Sequence, residues 1–329
     1  MKLTGKRVLI TGGAGFIGSN LAQRILAENP AALVIVDNFF LGSERNLAPA
    51  RERYPDLQVL RMDAADLAAM KHVVEAHQID VVYNLAVVPL PTSLEYPAWT
   101  VQTNVNIVLT FCELTRWGGV ETLIHCSSSE AYGSALYSTM DESHPLVPTT
   151  PYAASKAAGD QIVLSYQQTF GMDAAIVRPF NNFGPHQNPG SYAGIIPIVV
   201  SRVYRNLPVE IYGDGDQTRD YIYVQDTVEA MMRIYEAPAT RGRVVNVATG
   251  QEITINQLVT RLLRVLDVPG HPVVHLPERP GDVRRHCGDV SLLRELTGFT
   301  PNPIRDEDLA VTVAWYLQYY RGALPGQVN

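Results

Sequence analysis

A glycine-spaced turn near the N-terminus constrains this chain's fold more than any other feature. Gly12, Gly15 and Gly18 follow the pattern Gly-x-x-Gly-x-x-Gly directly after the apolar run Val8-Leu9-Ile10. They open a segment with helical apolar spacing at Ile17, Leu21 and Ile25. A strand that turns sharply into a helix needs residues without a Cβ at three places: at the turn, where backbone must approach a ligand, and where helix meets strand. The start of such a helix carries free amides and the positive end of its dipole, so it suits a phosphate. A second apolar run, Leu33-Val34-Ile35-Val36, ends at Asp37. A carboxylate at that point accepts from ribose hydroxyls and repels a 2′-phosphate, which favours NAD over NADP.

Beyond the turn, short apolar runs alternate with helical patterns. Strands are predicted over 7–11, 33–36, 58–61, 81–84, 122–126 and 174–177, and helices over 15–28, 65–76, 101–117 and 152–170. Several of the strands are apolar throughout, as parallel strands covered on both faces are. The alternation predicts an α/β fold built on a doubly wound parallel sheet. Gly118-Gly119 supplies a C-cap for the 101–117 helix. After residue 180 the pattern changes, with turns at Gly184-Pro185, Asn188-Pro189-Gly190 and Gly213-Asp214-Gly215-Asp216. A further strand is predicted over 244–247, and Arg279-Pro280-Gly281 reads as a connection. Residues 1–180 are expected to form the dinucleotide domain, which also receives the 244–247 strand. Residues 181–329 are expected to form mainly a smaller α/β substrate lobe.

The length of 329 residues suits this division, and the 46% apolar content supports a sizeable core. A net charge of −7 argues against a nucleic-acid surface. Any anionic substrate must therefore be met by local arginines. The odd set Cys112, Cys126 and Cys287 has no metal-ligand spacing and reads as reduced, buried thiols. Neither a signal-peptide apolar region nor a run long enough to span a membrane is present, so a cytoplasmic protein without membrane contact is expected. His125, His186 and His286 match no metal spacing and are expected to be structural or solvent-facing. Phe39, Phe40 and Trp99 are expected to be cover and core.

Tyr152 and Lys156 lie four positions apart in Pro-Tyr-Ala-Ala-Ser-Lys, so a helix puts both on one face. Nearby opposite charge favours the ionised phenol, whose unperturbed pKa is about 10. The pair can then move a proton on or off a sugar hydroxyl near neutral pH.

The chain resembles the extended short-chain dehydrogenase/reductase family, in its nucleotide-sugar epimerase/dehydratase branch. The resemblance spans nearly the whole chain. It rests on the glycine turn, Asp63, Asn84-Leu85-Ala86, Ser127-Ser128-Ser129-Glu130-Ala131-Tyr132-Gly133 and Tyr152-x-x-x-Lys156. Arg178-Pro179-Phe180-Asn181-Asn182-Phe183-Gly184-Pro185 and Gly213-Asp214-Gly215-x-x-x-Arg219-Asp220-Tyr221 extend it. It departs in small ways: Ala131 stands where many relatives have valine, and Ser128 where many have threonine. The family implies a Rossmann-type fold, tightly held NAD, a nucleotide-diphosphate sugar and transient oxidation at the sugar C4. Carried over residue by residue, it implies cofactor contacts at Gly12, Gly15, Phe16, Ile17, Gly18, Asp37, Asn38, Asp63, Ala64, Leu85, Ala86, Asn104, Tyr152 and Lys156. It implies substrate contacts at Ser93, Asn181, Arg219 and Arg284, the arginines gripping the diphosphate. It also implies a homodimer joined by a four-helix bundle from the 101–117 and 152–170 helices.

Ser128, Ser129, Glu130, Tyr152 and Lys156 are the expected catalytic set. After C4 oxidation a 4-epimerase needs no further base, whereas a 4,6-dehydratase must remove the C5 proton, and a placed carboxylate can take it. Family 4-epimerases usually carry a small or hydroxyl residue at the Glu130 position; dehydratases and uronate decarboxylases carry glutamate. Ser129 stands where dTDP-glucose dehydratases have an aspartate acid, a pattern similar to the GDP-mannose and UDP-N-acetylhexosamine dehydratases. The expected reaction is 4,6-dehydration, with 4-epimerisation and then decarboxylation of a UDP-glucuronate-type sugar as alternatives. The residues flanking Tyr152 and Lys156 offer no extra cation for a uronate. A redox-sensing NAD-binding regulator is the non-enzyme alternative, and the Tyr152/Lys156 pair argues against it. Selection of base and sugar is expected from the loops at 89–96 and 192–196.

Overall fold

The computed structural model describes residues 1–137, 139–190, 194–278 and 284–322. Its first half is a regular alternation: β1 (Arg7–Thr11), α1 (Phe16–Leu26), β2 (Ala32–Asp37), α2 (Glu44–Arg53), β3 (Gln58–Arg61), α3 (Leu67–His77), β4 (Val81–Asn84), α4 (Leu90–Glu95), α5 (Pro97–Arg116) and β5 (Thr122–Cys126). A 3-10 turn, Ser129–Tyr132, leads on to α6 (Pro151–Phe170) and β6 (Ala174–Pro179). The rest comprises β7 (Asn181–Phe183), α7 (Ile195–Tyr204), β8 (Val209–Tyr212), β9 (Thr218–Arg219), β10 (Tyr221–Tyr223), α8 (Val224–Glu236), β11 (Val244–Val247), β12 (Ile253–Thr254), α9 (Ile255–Val265), β13 (Val273–Leu276), α10 (Ser291–Thr297) and α11 (Asp306–Gly322).

Seven strands form one parallel sheet in the order β11-β6-β5-β4-β1-β2-β3. Its strands alternate between two cores, because successive strand side chains point to opposite faces. Val8, Ile10, Ile35, Tyr83, Ile124 and Val177 pack on one side with α1, α2 and α8. Leu9, Val34, Val36, Val82, Leu123 and Ile176 pack on the other with α3, α5 and α6. A third core joins α7, α9 and α11 around Val199, Leu258, Leu262, Val313 and Tyr316. The chain order reverses between β1 and β4, and the crevice beyond the strand ends at such a reversal is where ligands bind in open α/β sheets.

Local chemistry fixes the helix ends that border this crevice. Thr150 caps α6 by accepting from Ala153 N, Pro151 fills the first helical position, and Gly171 ends the helix at φ 67°. Gly118, at φ 78°, lets Gly119 N reach back to Leu114 O and closes α5. The strands predicted over 7–11, 58–61, 81–84, 122–126 and 244–247 are found at those bounds. Helix α5 begins earlier than predicted, because Pro97 starts it. Arg279-Pro280-Gly281 and residues 192–193 of the second specificity loop lie outside the described residues.

Candidate active site

At the reversal point a cleft of about 690 Å³ runs from the start of α1, across the ends of β4 and β5, to β7 and β9. Glycine geometry makes its floor. Gly12 has φ 67°, and a Cβ there would meet Ala86 N at 2.9 Å. A Cβ at Gly18 would run into the Gly12 carbonyl and meet Gly13 Cα at 2.8 Å. The turn therefore needs glycine for its conformation at Gly12 and for helix–strand contact at Gly18. Helix α1 starts at Gly15 with no side-chain cap and no acid in its first turn, so its leading amides face the cleft.

Asp37, at the end of β2, lines the cleft beside the glycine turn. Its Oδ2 accepts from Ala14 N at 2.9 Å and its Oδ1 from Phe39 N at 2.7 Å. Burial raises its pKa, and these two amides oppose the rise. Thr11 Oγ1 accepts from both Leu85 N and Ala86 N at 3.1 Å, so the strand after the glycine turn fixes the loop after β4. Asp63 bends its own backbone by accepting from Ala65 N at 2.9 Å.

At the other end, Ser128 caps the 3-10 turn by accepting from Glu130 N at 3.2 Å. Its hydroxyl lies near the Tyr152 phenol and favours the phenolate. Ser128, Ser129, Glu130, Tyr152 and Lys156 all line the cleft. The electrostatics differ from the sequence expectation. Lys156 Nζ donates to Cys126 O at 2.7 Å, and burial lowers its pKa. Burial pushes the Tyr152 phenol up; the Ser128 hydroxyl opposes the rise, and the Glu130 charge adds to it. Desolvation penalises either charged form, and neither side chain contributes to the other's shift.

Among the other expected contacts, Gly12, Gly15, Phe16, Ile17, Gly18, Asp37, Asn38, Asp63, Ala64, Leu85, Ala86, Asn181 and Arg219 line the cleft. Three stand off it. Asn104 is buried and clamps Val88 from behind, accepting from its N at 2.7 Å and donating to its O at 3.1 Å. Ser93 is buried and donates to Leu90 O at 2.7 Å. Arg284 is exposed and paired with Asp214 at 2.7 Å, because the Gly213–Asp216 turn offers it a carboxylate.

Sequence reasoning missed several wall residues. Phe40 and Trp99 are not core: they are exposed, meet edge to face at 5.8 Å and form the rim. His186, Gln187 and Gln217 also line the cleft. The Asn181–Pro185 run was the available signal for the first two. His125 and His286 are buried, and burial lowers both pKa values, that of His286 to about 4. Among the described residues no cluster of His, Cys, Asp or Glu is placed to hold a metal, and no helix is long and apolar enough to cross a membrane.

The sheet order, the glycine turn and the Tyr152/Lys156 helix define a Rossmann-type short-chain dehydrogenase/reductase. The family model for the NAD dependent epimerase/dehydratase family matches residues 8–248, and the chain belongs to that family. It is 33% identical over 312 residues to a UDP-glucose 4-epimerase of Mycolicibacterium smegmatis, covering 94% of this chain and 98% of the relative. It is 31% identical over 316 residues to a dTDP-glucose 4,6-dehydratase of Streptomyces niveus, covering 94% and 92%. The crystal structure of a Streptomyces venezuelae dTDP-glucose 4,6-dehydratase, with NAD and TYD bound, superposes with a TM-score of 0.87 at 30% identity, covering 95% of this chain and 97% of that one. The protein is thus an NAD-dependent enzyme of the nucleotide-sugar epimerase/dehydratase class, and its cofactor is NAD. The cleft fits that cofactor, since its floor is backbone that a Cβ at Gly12 or Gly18 would obstruct.

Proposed function

We propose that this protein is a nucleotide-sugar 4,6-dehydratase. The observation that carries the reading is Glu130, a carboxylate on the cleft wall, two residues from Ser128 and close enough to raise the Tyr152 phenol. Phe16, Ile17 and Gly18, at the start of α1, would hold the NAD diphosphate, and Gly12 and Gly15 let it approach. Asp37 with Asn38 would hold the adenosine ribose, Asp63 and Ala64 the adenine side, Leu85 and Ala86 the middle of the cofactor, and Lys156 the second ribose. The chemistry NAD supplies when bound is reversible hydride exchange with the sugar. Tyr152, beside Ser128, takes the proton of the C4 hydroxyl when it is in its phenolate form. The resulting ketone makes the C5 proton acidic, and Glu130 removes it. The same carboxyl then delivers that proton to the C6 oxygen, which leaves as water beside Ser129; return of the hydride to C6 and a solvent-derived proton to C5 would complete a 4-keto-6-deoxy sugar. Asn181 and Arg219 would hold the sugar diphosphate, and Arg284 joins them only by leaving Asp214. Helices α5 and α6, packed along each other, would pair with those of a second copy.

One observation favours 4-epimerisation instead. Among the described residues Asp37, Asp63 and Glu130 are the acids on the wall, and the first two lie at the adenosine end. Only one carboxyl therefore serves both proton transfers of the dehydration. Incubation with UDP-, GDP-, dTDP- and CDP-sugars, read by mass, separates the readings: water is lost in one and mass is unchanged in the other. Glu130→Gln should cut water loss and deuterium entry at C5 by at least about a hundredfold. Unchanged product at an unchanged rate would make Glu130 a bystander.

A further inference from the structure

A histidine from beyond residue 180 meets the start of α1. His186 sits in the turn after β7 at φ 75°, and its Nδ1 lies 2.8 Å from Ser19 Oγ. The ring lines the cleft and is only 9% exposed. Its Nε2 has no hydrogen-bond partner among the described residues. Its partner Ser19 lies in the first turn of α1, whose leading amides have no side-chain cap. We propose that His186 is a ligand of the diphosphate held at the start of α1, that it binds as an imidazolium, and that NAD binding therefore takes up one proton from solvent. The inference rests on NAD occupying the cleft and is independent of the reaction that follows.

Hydrogen-bond direction supports it. Ser19 Oγ also donates to the Phe16 carbonyl, at 3.2 Å, and a carbonyl can only accept. With the hydroxyl proton on that carbonyl, Ser19 accepts from His186 Nδ1–H. A neutral ring in that tautomer, lining the cleft, leaves Nε2 as a bare lone pair. A lone pair repels phosphate oxygens; a proton on Nε2 converts it into a charge-assisted donor.

The surroundings set the direction of the switch. Burial alone holds His186 at about 4, with no charged neighbour contributing. On α11, Trp315 contacts the ring at 5.6 Å. Its titratable neighbours there are Tyr316, whose hydroxyl donates to Gln187 O, and Tyr319, which carries Arg45 over its face. On α1 the titratable side chain is Arg24, held by Glu28 and Glu229. No described acid therefore protonates His186 in advance. A diphosphate placed beside it supplies the missing negative charge, and low local dielectric strengthens that attraction.

Calorimetric titration with NAD between about pH 5.5 and 8, in buffers of differing ionisation heat, tests the proposal. Wild type should take up a proton and bind about tenfold more tightly at the acid end. His186→Gln should abolish uptake and flatten the profile, and His186→Arg should bind tightly throughout. Adenosine, which lacks the diphosphate, should bind all three alike. NAD binding to wild type without proton uptake, or uptake that persists in His186→Gln, would overturn the proposal alone. Failure of wild type to bind NAD would overturn the cofactor reading with it. If the variants do not fold, labelled-histidine NMR of wild type decides: NAD at about pH 6 should convert the His186 ring to imidazolium, and a ring that stays neutral refutes the idea.

Discussion

Replacing Arg178 by methionine isolates a buried carboxylate beneath the catalytic turn. Arg178 is 2% exposed and Asp160 is completely sealed. Arg178 Nη2 lies 2.5 Å from Asp160 Oδ2, and its guanidinium carbon lies 4.4 Å from the centre of the Tyr132 ring. Arg178 Nε and Nη1 and Asp160 Oδ1 have no hydrogen-bond partner among the described residues. One charged bond and one ring face therefore hold the pair. Methionine keeps the apolar stem but leaves Asp160 without its cation. Removing one member of a buried pair costs about 3–5 kcal/mol, whereas replacing both with apolar groups is often neutral. Arg178→Met should therefore lower the unfolding free energy by about 3–5 kcal/mol. Adding Asp160→Leu should restore most of it.

Urea unfolding at neutral pH measures both, as a shift in midpoint at constant slope. Additive losses in the double variant, or a loss below about 1 kcal/mol in Arg178→Met, would refute the reasoning. Turnover should fall along with stability, because Tyr132 ends the turn that carries Ser128 and Glu130. The same ring is tied to β11 by its hydroxyl, which donates to Asn246 Oδ1 at 2.8 Å.

Tyr152→Phe should lower turnover by at least about a hundredfold while substrate affinity survives; near-normal rates would show the proton to travel elsewhere. Gly18→Ala should weaken NAD binding and cost about 1–3 kcal/mol of stability, since the new methyl collides with the Gly12 carbonyl, and unchanged calorimetric binding would contradict this. Light scattering should give the mass of a homodimer, and a monomer at working concentration would refute pairing through α5 and α6.

Much of the cleft was legible because its chemistry is written in short spans. The glycine turn, the Asp37 terminus of β2 and the Tyr152/Lys156 spacing each lie within one element or one connection. The parallel strands were legible because burial on both faces makes them apolar throughout, as in Leu33–Val36. Helix α2 was not. It reads Glu-Arg-Asn-Leu-Ala-Pro-Ala-Arg-Glu-Arg, carries Pro49 inside, and buries only Asn46, Leu47 and Ala50. Its apolar signal is too thin to show a period, and Ser43 and its contacts with Ala14 make the difference.

What stayed hidden depends on residues far apart in sequence. Lys156 was expected beside Tyr152 as its electrostatic partner, yet its ammonium is taken by a carbonyl 30 positions away. His186 carries no motif of its own, and its bond to Ser19 spans 167 positions. Arg284 matched a diphosphate-binding pattern, but Asp214, 70 positions off, already holds it. For Lys156 and Arg284 the sequence pattern named the side chain, while the fold decided which competing acceptor each cation meets. The distinction bears on the reaction. Ser128, Ser129 and Glu130 lie in one short turn, so their presence beside Tyr152 could be read from the sequence. Whether Glu130 acts as the C5 base depends on a proton balance set by burial around Tyr152 and Lys156, so the deuterium measurement probes what spacing alone could not encode.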